Sequence, residues 1–230
     1  MRISPGLGIG VSSKADDLTT ISFRIDPLDL NPYLYFAADT NISTSGGAVD
    51  TWYSKWYGGS APSNGRVEYL TQGIANLQPA HDTDGFMTFD TVTSEKDKLA
   101  FAASAVEQAG VLIVATSNGI FAYEVDADSV DEITALGWET GYFFALDLYA
   151  YVLLPTTVTD LEVNSVVNWL DTNTGATKNP TSGVQYYWKS RTDIVTPKLD
   201  AIDFSAVTDL REAWKGCSSM TSFPIIDSSN

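Results

Sequence analysis

Few residues in this chain could do chemistry unaided. The single histidine, His81, lies in Gln78-Pro79-Ala80-His81-Asp82-Thr83-Asp84-Gly85. A histidine next to carboxylates could serve as a general base or begin a metal site, but either role needs partners in space. There is no second histidine, and the one cysteine, Cys217, is far away in sequence. Asp82, Asp84 and Asp90 could offer hard oxygens to calcium, yet the D-x-D-x-D-G order and the closing glutamate are missing. The plain reading of this stretch is a turn. Gly6-Leu7-Gly8-Ile9-Gly10 has phosphate-loop spacing without the lysine and hydroxyl that bind phosphate, and it opens no helix. There is no G-x-S-x-G elbow. Paired carboxylates are plentiful in a chain with 29 Asp and Glu, so their presence selects nothing. Asp126, Asp128, Asp131 and Glu132 read as a solvated helix start. The expectation is a protein that is not an enzyme, with no catalytic residue, cofactor or metal.

The remaining chemistry is recognition. Trp52-Tyr53-Ser54-Lys55-Trp56-Tyr57 holds four aromatics in six residues, between the turn-rich stretches 43–47 and 58–65. Aromatics flanked by glycine loops suit an exposed binding surface, so Trp52, Tyr53, Trp56 and Tyr57 are the candidate recognition residues. The competing reading is that alternating aromatics pack inward.

Charge narrows the partners. The formal net charge of −16 repels phosphate, so neither nucleic acid nor an anionic membrane surface is an expected partner. Hydrophobic residues make up 44% and mean hydropathy is −0.04, as in a folded soluble chain. One cysteine forbids an internal disulfide. No apolar run approaches the roughly 20 residues needed to span a bilayer. Met1-Arg2-Ile3-Ser4-Pro5-Gly6 lacks a charged-then-apolar signal region, so synthesis and folding in a cytoplasm are expected.

The elements that must carry these residues fall into three segments. Residues 1–35 are expected to form an extended arm, because Pro5, Gly6, Gly8 and Gly10 oppose a helix and Leu7 and Ile9 alternate with glycine. Phe23 and Ile25 continue the alternation as a strand. Residues 36–190 are expected to form an α+β or mixed α/β globular domain. Helices are predicted over 67–77, from Ser94 to Gln108, from Asp128 or Ser129 to Leu136, and after a Thr159 cap through Leu170. Strands are predicted at 111–115, 120–125, 142–154 and 184–188, with Asn118-Gly119 as a hairpin turn.

The third segment, 191–230, carries a repeat. Leu199-Asp200-Ala201-Ile202-Asp203-Phe204-Ser205 aligns with Phe223-Pro224-Ile225-Ile226-Asp227-Ser228-Ser229 at an offset of 223 − 199 = 24. That period lies within the leucine-rich-repeat range of about 20–29 residues. Ser205 could cap a helix with Val207, Leu210, Trp214 and Cys217 on one face, and Met220, Phe223 and Ile225 would follow as a short strand. These seven residues are the expected repeat core, and the expectation is the start of a C-terminal leucine-rich-repeat solenoid.

The stretch from Asp203 through Gly216-Cys217-Ser218-Ser219-Met220 to Pro224 resembles the BspA-like leucine-rich repeats of microbial surfaces. The resemblance implies adhesion or protein recognition through stacked repeats. It departs from that pattern in having Ser228 where an asparagine is expected, and one full unit where about three make a stable stack. The single unit would then dock on the globular part or be followed by more chain. The opening, Ser4-Pro5-Gly6-Leu7-Gly8-Ile9-Gly10-Val11, resembles N-termini of virion structural proteins from phages of marine cyanobacteria. That resemblance implies a virion subunit of the tail, a fibre or the capsid surface, made in the host cytoplasm and attached through the arm. Its partners would be other virion proteins and further copies of itself, with a host receptor or glycan as target. A cell-surface leucine-rich-repeat adhesion protein and a glycan-binding module are the alternatives.

Overall fold

The computed structural model describes residues 23–55, 69–75, 78–89, 98–101, 109–126, 132–134, 146–180, 194–198, 204–211 and 213–223. Its centre is the predicted hairpin. Strands β8 (Gly110–Thr116) and β9 (Gly119–Val125) pair antiparallel from Gly110↔Val125 to Thr116↔Gly119. Gly119 carries the turn's positive φ of 137°. The β8 sequence Gly-Val-Leu-Ile-Val-Ala-Thr is buried at every position, so both faces of the sheet are covered here. Antiparallel strands with one wet face alternate apolar and polar residues, and β8 does not.

β11 (Leu146–Pro155) lies on the other edge of β8. Its register slips between Leu148 and Ala150, a bulge centred on Tyr149. The far edge of β11 is shared end to end. β6 (Phe86–Phe89) takes Leu146–Leu148, and β1 (Leu34–Ala37) takes Ala150–Leu153. A Cβ on Gly110 would stand 2.5 Å from the Leu154 carbonyl oxygen, so β8 and β11 approach closely only with glycine there.

The sheet continues outward through β5 (Ala80–Asp82), β3 (Ala48–Tyr53), β4 (Tyr69–Thr71), β7 (Lys98–Phe101) and β10 (Glu132–Thr134). β2 (Ile42–Ser45) pairs β3, and β12 (Ile194–Pro197) pairs β9. Ten strands run in the order β10-β7-β4-β3-β5-β6-β11-β8-β9-β12, with β1 and β2 as branches, and every pairing among the described strands is antiparallel. The fold is therefore mostly β, an open antiparallel sheet with one α-helix among the described residues. The expected α+β or mixed α/β domain thus holds in part, with strands and a helix present but the strands dominant. Three predicted helices carry strands instead: Tyr69–Thr71 within 67–77, Lys98–Phe101 within 94–108, and Glu132–Thr134 within 128–136. The last two pair with each other and Lys98–Phe101 also pairs with β4, so sheet pairing overrides local helix preference. β1 straddles the start of the 36–190 segment and β12 lies beyond its end, yet both belong to this sheet. The predicted strand at 184–188 lies outside the described residues.

The one helix, α1 (Asp160–Asn173), begins where its cap was predicted. Thr159 Oγ1 accepts from the Glu162 N–H, and the Glu162 carboxylate accepts from the Thr159 N–H at 2.8 Å, forming a capping box. Val163, Val166, Val167 and Leu170 are buried, whereas Leu161 is 64% exposed. Residues 23–26 run along this helix rather than forming a strand. Ile25 N–H donates to the Ser165 carbonyl, and Asn168 Nδ2 donates to the Phe23 carbonyl.

The Thr159 hydrogen bonds, backbone first and then side chain, hold the Glu162 carboxyl below its ordinary range. A depressed carboxyl contributes stability that is complete above its unfolded-state value and is lost as pH falls through its folded one. Glu162→Gln should therefore be less stable than the parent at neutral pH and equal to it in acid. Thr159→Ala should cost about 1 kcal/mol at neutral pH. Urea denaturation across pH checks both.

Candidate functional site

Among its described residues the C-terminal segment contains no helix. From 204 to 223 the chain makes separate turns, with N–H to C=O bonds from Val207 to Phe204, Ala213 to Leu210, Cys217 to Trp214, and Met220 to Cys217. Phe204, Val207, Leu210, Ala213, Cys217, Met220 and Phe223 recur every three or four residues, so a row of three-residue turns mimics a helical spacing. The expected helix over Val207 to Cys217 is corrected to this row, and no solenoid is formed among the described residues. Ile225 lies outside them.

The segment nonetheless does what an apolar face must do. Phe204 and Ala213 are buried, and Val207, Leu210, Trp214, Cys217 and Met220 pack half-buried against the core. Trp214 stacks edge-on between Phe204 and Phe223, with ring centroids 6.4 Å and 6.3 Å apart. Its Nε1 donates to the Tyr123 hydroxyl at 3.1 Å. Burial raises the Tyr123 phenol well above its ordinary range, so the hydroxyl stays neutral. The neighbouring Glu124 points the other way, toward α1. Lys198 Nζ lies 3.5 Å from both the Glu124 and the Asp160 carboxylates. Because successive strand residues face opposite sides, α1 covers one face of β9 and the C-terminal turns cover the other.

The segment is also tied to the outer edge of β12. Thr221 N–H donates to the Val195 carbonyl at 2.8 Å, and the Thr196 and Thr221 hydroxyls lie 2.9 Å apart. Thr221 and Thr196 thus touch across 221 − 196 = 25 residues of chain. Pro197 follows, with no N–H to offer. Proline is tolerated here because this edge of β12 faces away from β9.

The aromatic cluster divides. Trp52 is fully buried, donates from Nε1 to the Ala37 carbonyl at 3.1 Å and packs on Phe36. It is a core residue, which removes it from the recognition surface. Tyr53 is 46% exposed and faces Tyr69 across the β3–β4 pair, with ring centroids 5.7 Å apart. Trp56, Tyr57 and the arm residues Pro5 to Gly10 lie outside the described residues. Tyr69 was missed by sequence reasoning; its signal is Tyr-Leu-Thr, apolar in the middle and wet at both ends. Tyr123 was missed as well, hidden in an apolar run.

His81 is an ordinary strand residue whose Nε2 lies 3.0 Å from the Ala38 carbonyl oxygen. Tyr149 nearby is raised by burial and by Asp147, Asp84 and Asp82. Among the described residues no group of His, Cys, Asp and Glu is arranged to hold a metal ion. No helix there is long and apolar enough to cross a membrane. Compared with protein-family models, with curated proteins and with solved structures, the chain matches none.

Trp214→Phe keeps an aromatic ring in the stack but removes the bond to Tyr123. It should cost about 1 kcal/mol. Trp214→Ala removes the ring as well and should cost more, up to about 3 kcal/mol at this half-buried site. Urea denaturation monitored by circular dichroism separates the two.

Proposed function

We propose that this chain is a structural subunit of a tailed-phage particle, in which the N-terminal arm attaches and the sheet domain packs among neighbours. The observation that carries the reading is the opening Ser4-Pro5-Gly6-Leu7-Gly8-Ile9-Gly10-Val11, a glycine-rich arm that resembles the N-termini of phage virion structural proteins. The expected leucine-rich-repeat solenoid has no part in this reading, because residues 204–211 and 213–223 make turns that cover the sheet. The chain's high negative charge suits a protein that must stay soluble at high concentration before assembly. No enzymatic step is assigned to it.

The test is incorporation. An epitope-tagged copy expressed during phage infection should co-sediment with intact particles, and a variant lacking residues 1–12 should fold but remain in the soluble fraction. Absence of the tagged parent from purified particles would sink the virion reading. Normal incorporation of the deletion variant would remove the role of the arm.

A further inference from the structure

A second surface lies on the outer part of the sheet, away from the C-terminal segment. Trp52 and Leu70 are directly paired across β3 and β4, and both are fully buried. Their strand neighbours must therefore face outward. Register sets these neighbours in two rows. Ser43, Thr51 and Thr71 stand side by side across β2, β3 and β4, and Tyr53 and Tyr69 form the next row along. Ser43 and Tyr53 are exposed, and Thr51, Tyr69 and Thr71 are half-exposed. Thr71 Oγ1 donates to the Asp50 carbonyl at 3.0 Å, which leaves its oxygen free to accept.

We propose that this face binds a neutral polysaccharide. A row of three hydroxyls beside a pair of tyrosines presents hydrogen-bonding oxygens next to apolar ring faces. A sugar chain presents the complement, hydroxyls at its edges and C–H groups on its ring faces. Tyrosine gives such contact at low cost in conformational entropy, and serine and threonine adapt their hydroxyl direction. Charge selects the neutral class. All five side chains are uncharged in a chain of net charge −16, so an anionic glycan is repelled by the surroundings. A cationic partner finds its attraction at the carboxylates elsewhere, not at this patch. Contact with one side of a sugar chain is weak at a single site, and many copies on one assembly would multiply its avidity. This proposal is independent of the virion reading, which concerns the N-terminal arm.

Affinity electrophoresis of the purified full chain decides it, using native gels cast with neutral polysaccharides (a β-glucan, a mannan and a galactan) and with polygalacturonate as the anionic control. The parent should be retarded by at least one neutral polymer, with retardation unchanged in 0.5 M salt (roughly a 4 Å Debye length). Tyr53→Ala/Tyr69→Ala should lose at least tenfold in apparent affinity. Thr51→Val/Ser43→Ala, which leaves the rings in place, should lose several-fold, and circular dichroism should show both variants folded. No retardation in any neutral gel would overturn the proposal. So would equal retardation of parent and folded variants, or retardation by the anionic polymer alone.

Discussion

The central hairpin is apolar on both faces, and the rest of the molecule is arranged around that fact. β8 buries every residue from Gly110 to Thr116, and β9 buries all but Glu124 between Gly119 and Val125. A lone antiparallel hairpin of this composition would expose one greasy face whichever way it packed. Folding therefore needs two separate covers. The helix after β11 supplies one, and the turns after β12 supply the other. Tyr123 and Glu124, adjacent in sequence, report the two sides: one bonded to Trp214, the other facing Lys198 and the start of α1.

This arrangement changes what the C-terminal segment is. Read as a spacing pattern, it looks like a repeat helix that would project outward. Folded, its apolar residues are consumed in covering the sheet, and only Phe223, 67% exposed, extends the aromatic row beyond Trp214. The segment thus joins two roles. Its turns complete the domain core, and Thr221 bonds to the side of β12 away from β9 through its N–H and hydroxyl.

Legibility in the sequence followed how local each element's determinants are. The helix at 160–173 was readable because its capping box and its 3.6-residue apolar stripe lie within one segment. The hairpin at 110–125 was readable because a β-branched run is closed by Asn118-Gly119. Lys98–Phe101 was misread because lysine, leucine and alanine favour helices and Ser94 offered a cap. Only its pairing with β4 and β10, from distant parts of the chain, makes it a strand. The stretch 204–223 was misread for a different reason: spacings of three and four fit both a helix and a row of turns. Continuation of that spacing past Gly216, through Cys217 and Met220 to Phe223, was the available sign of turns. The outward tyrosine and hydroxyl rows on β2, β3 and β4 could not be seen without the register, since their residues come from three separate strands.

The central claim is that 204–223 is an integral cover of the sheet rather than an appendage. Native-state amide hydrogen exchange tests it most directly. The Val207, Ala213 and Thr221 amides should be protected well beyond unstructured-peptide rates, and Trp214→Ala should release all three together. Free exchange of these amides in the parent, with the β9 amides still protected, would contradict the account.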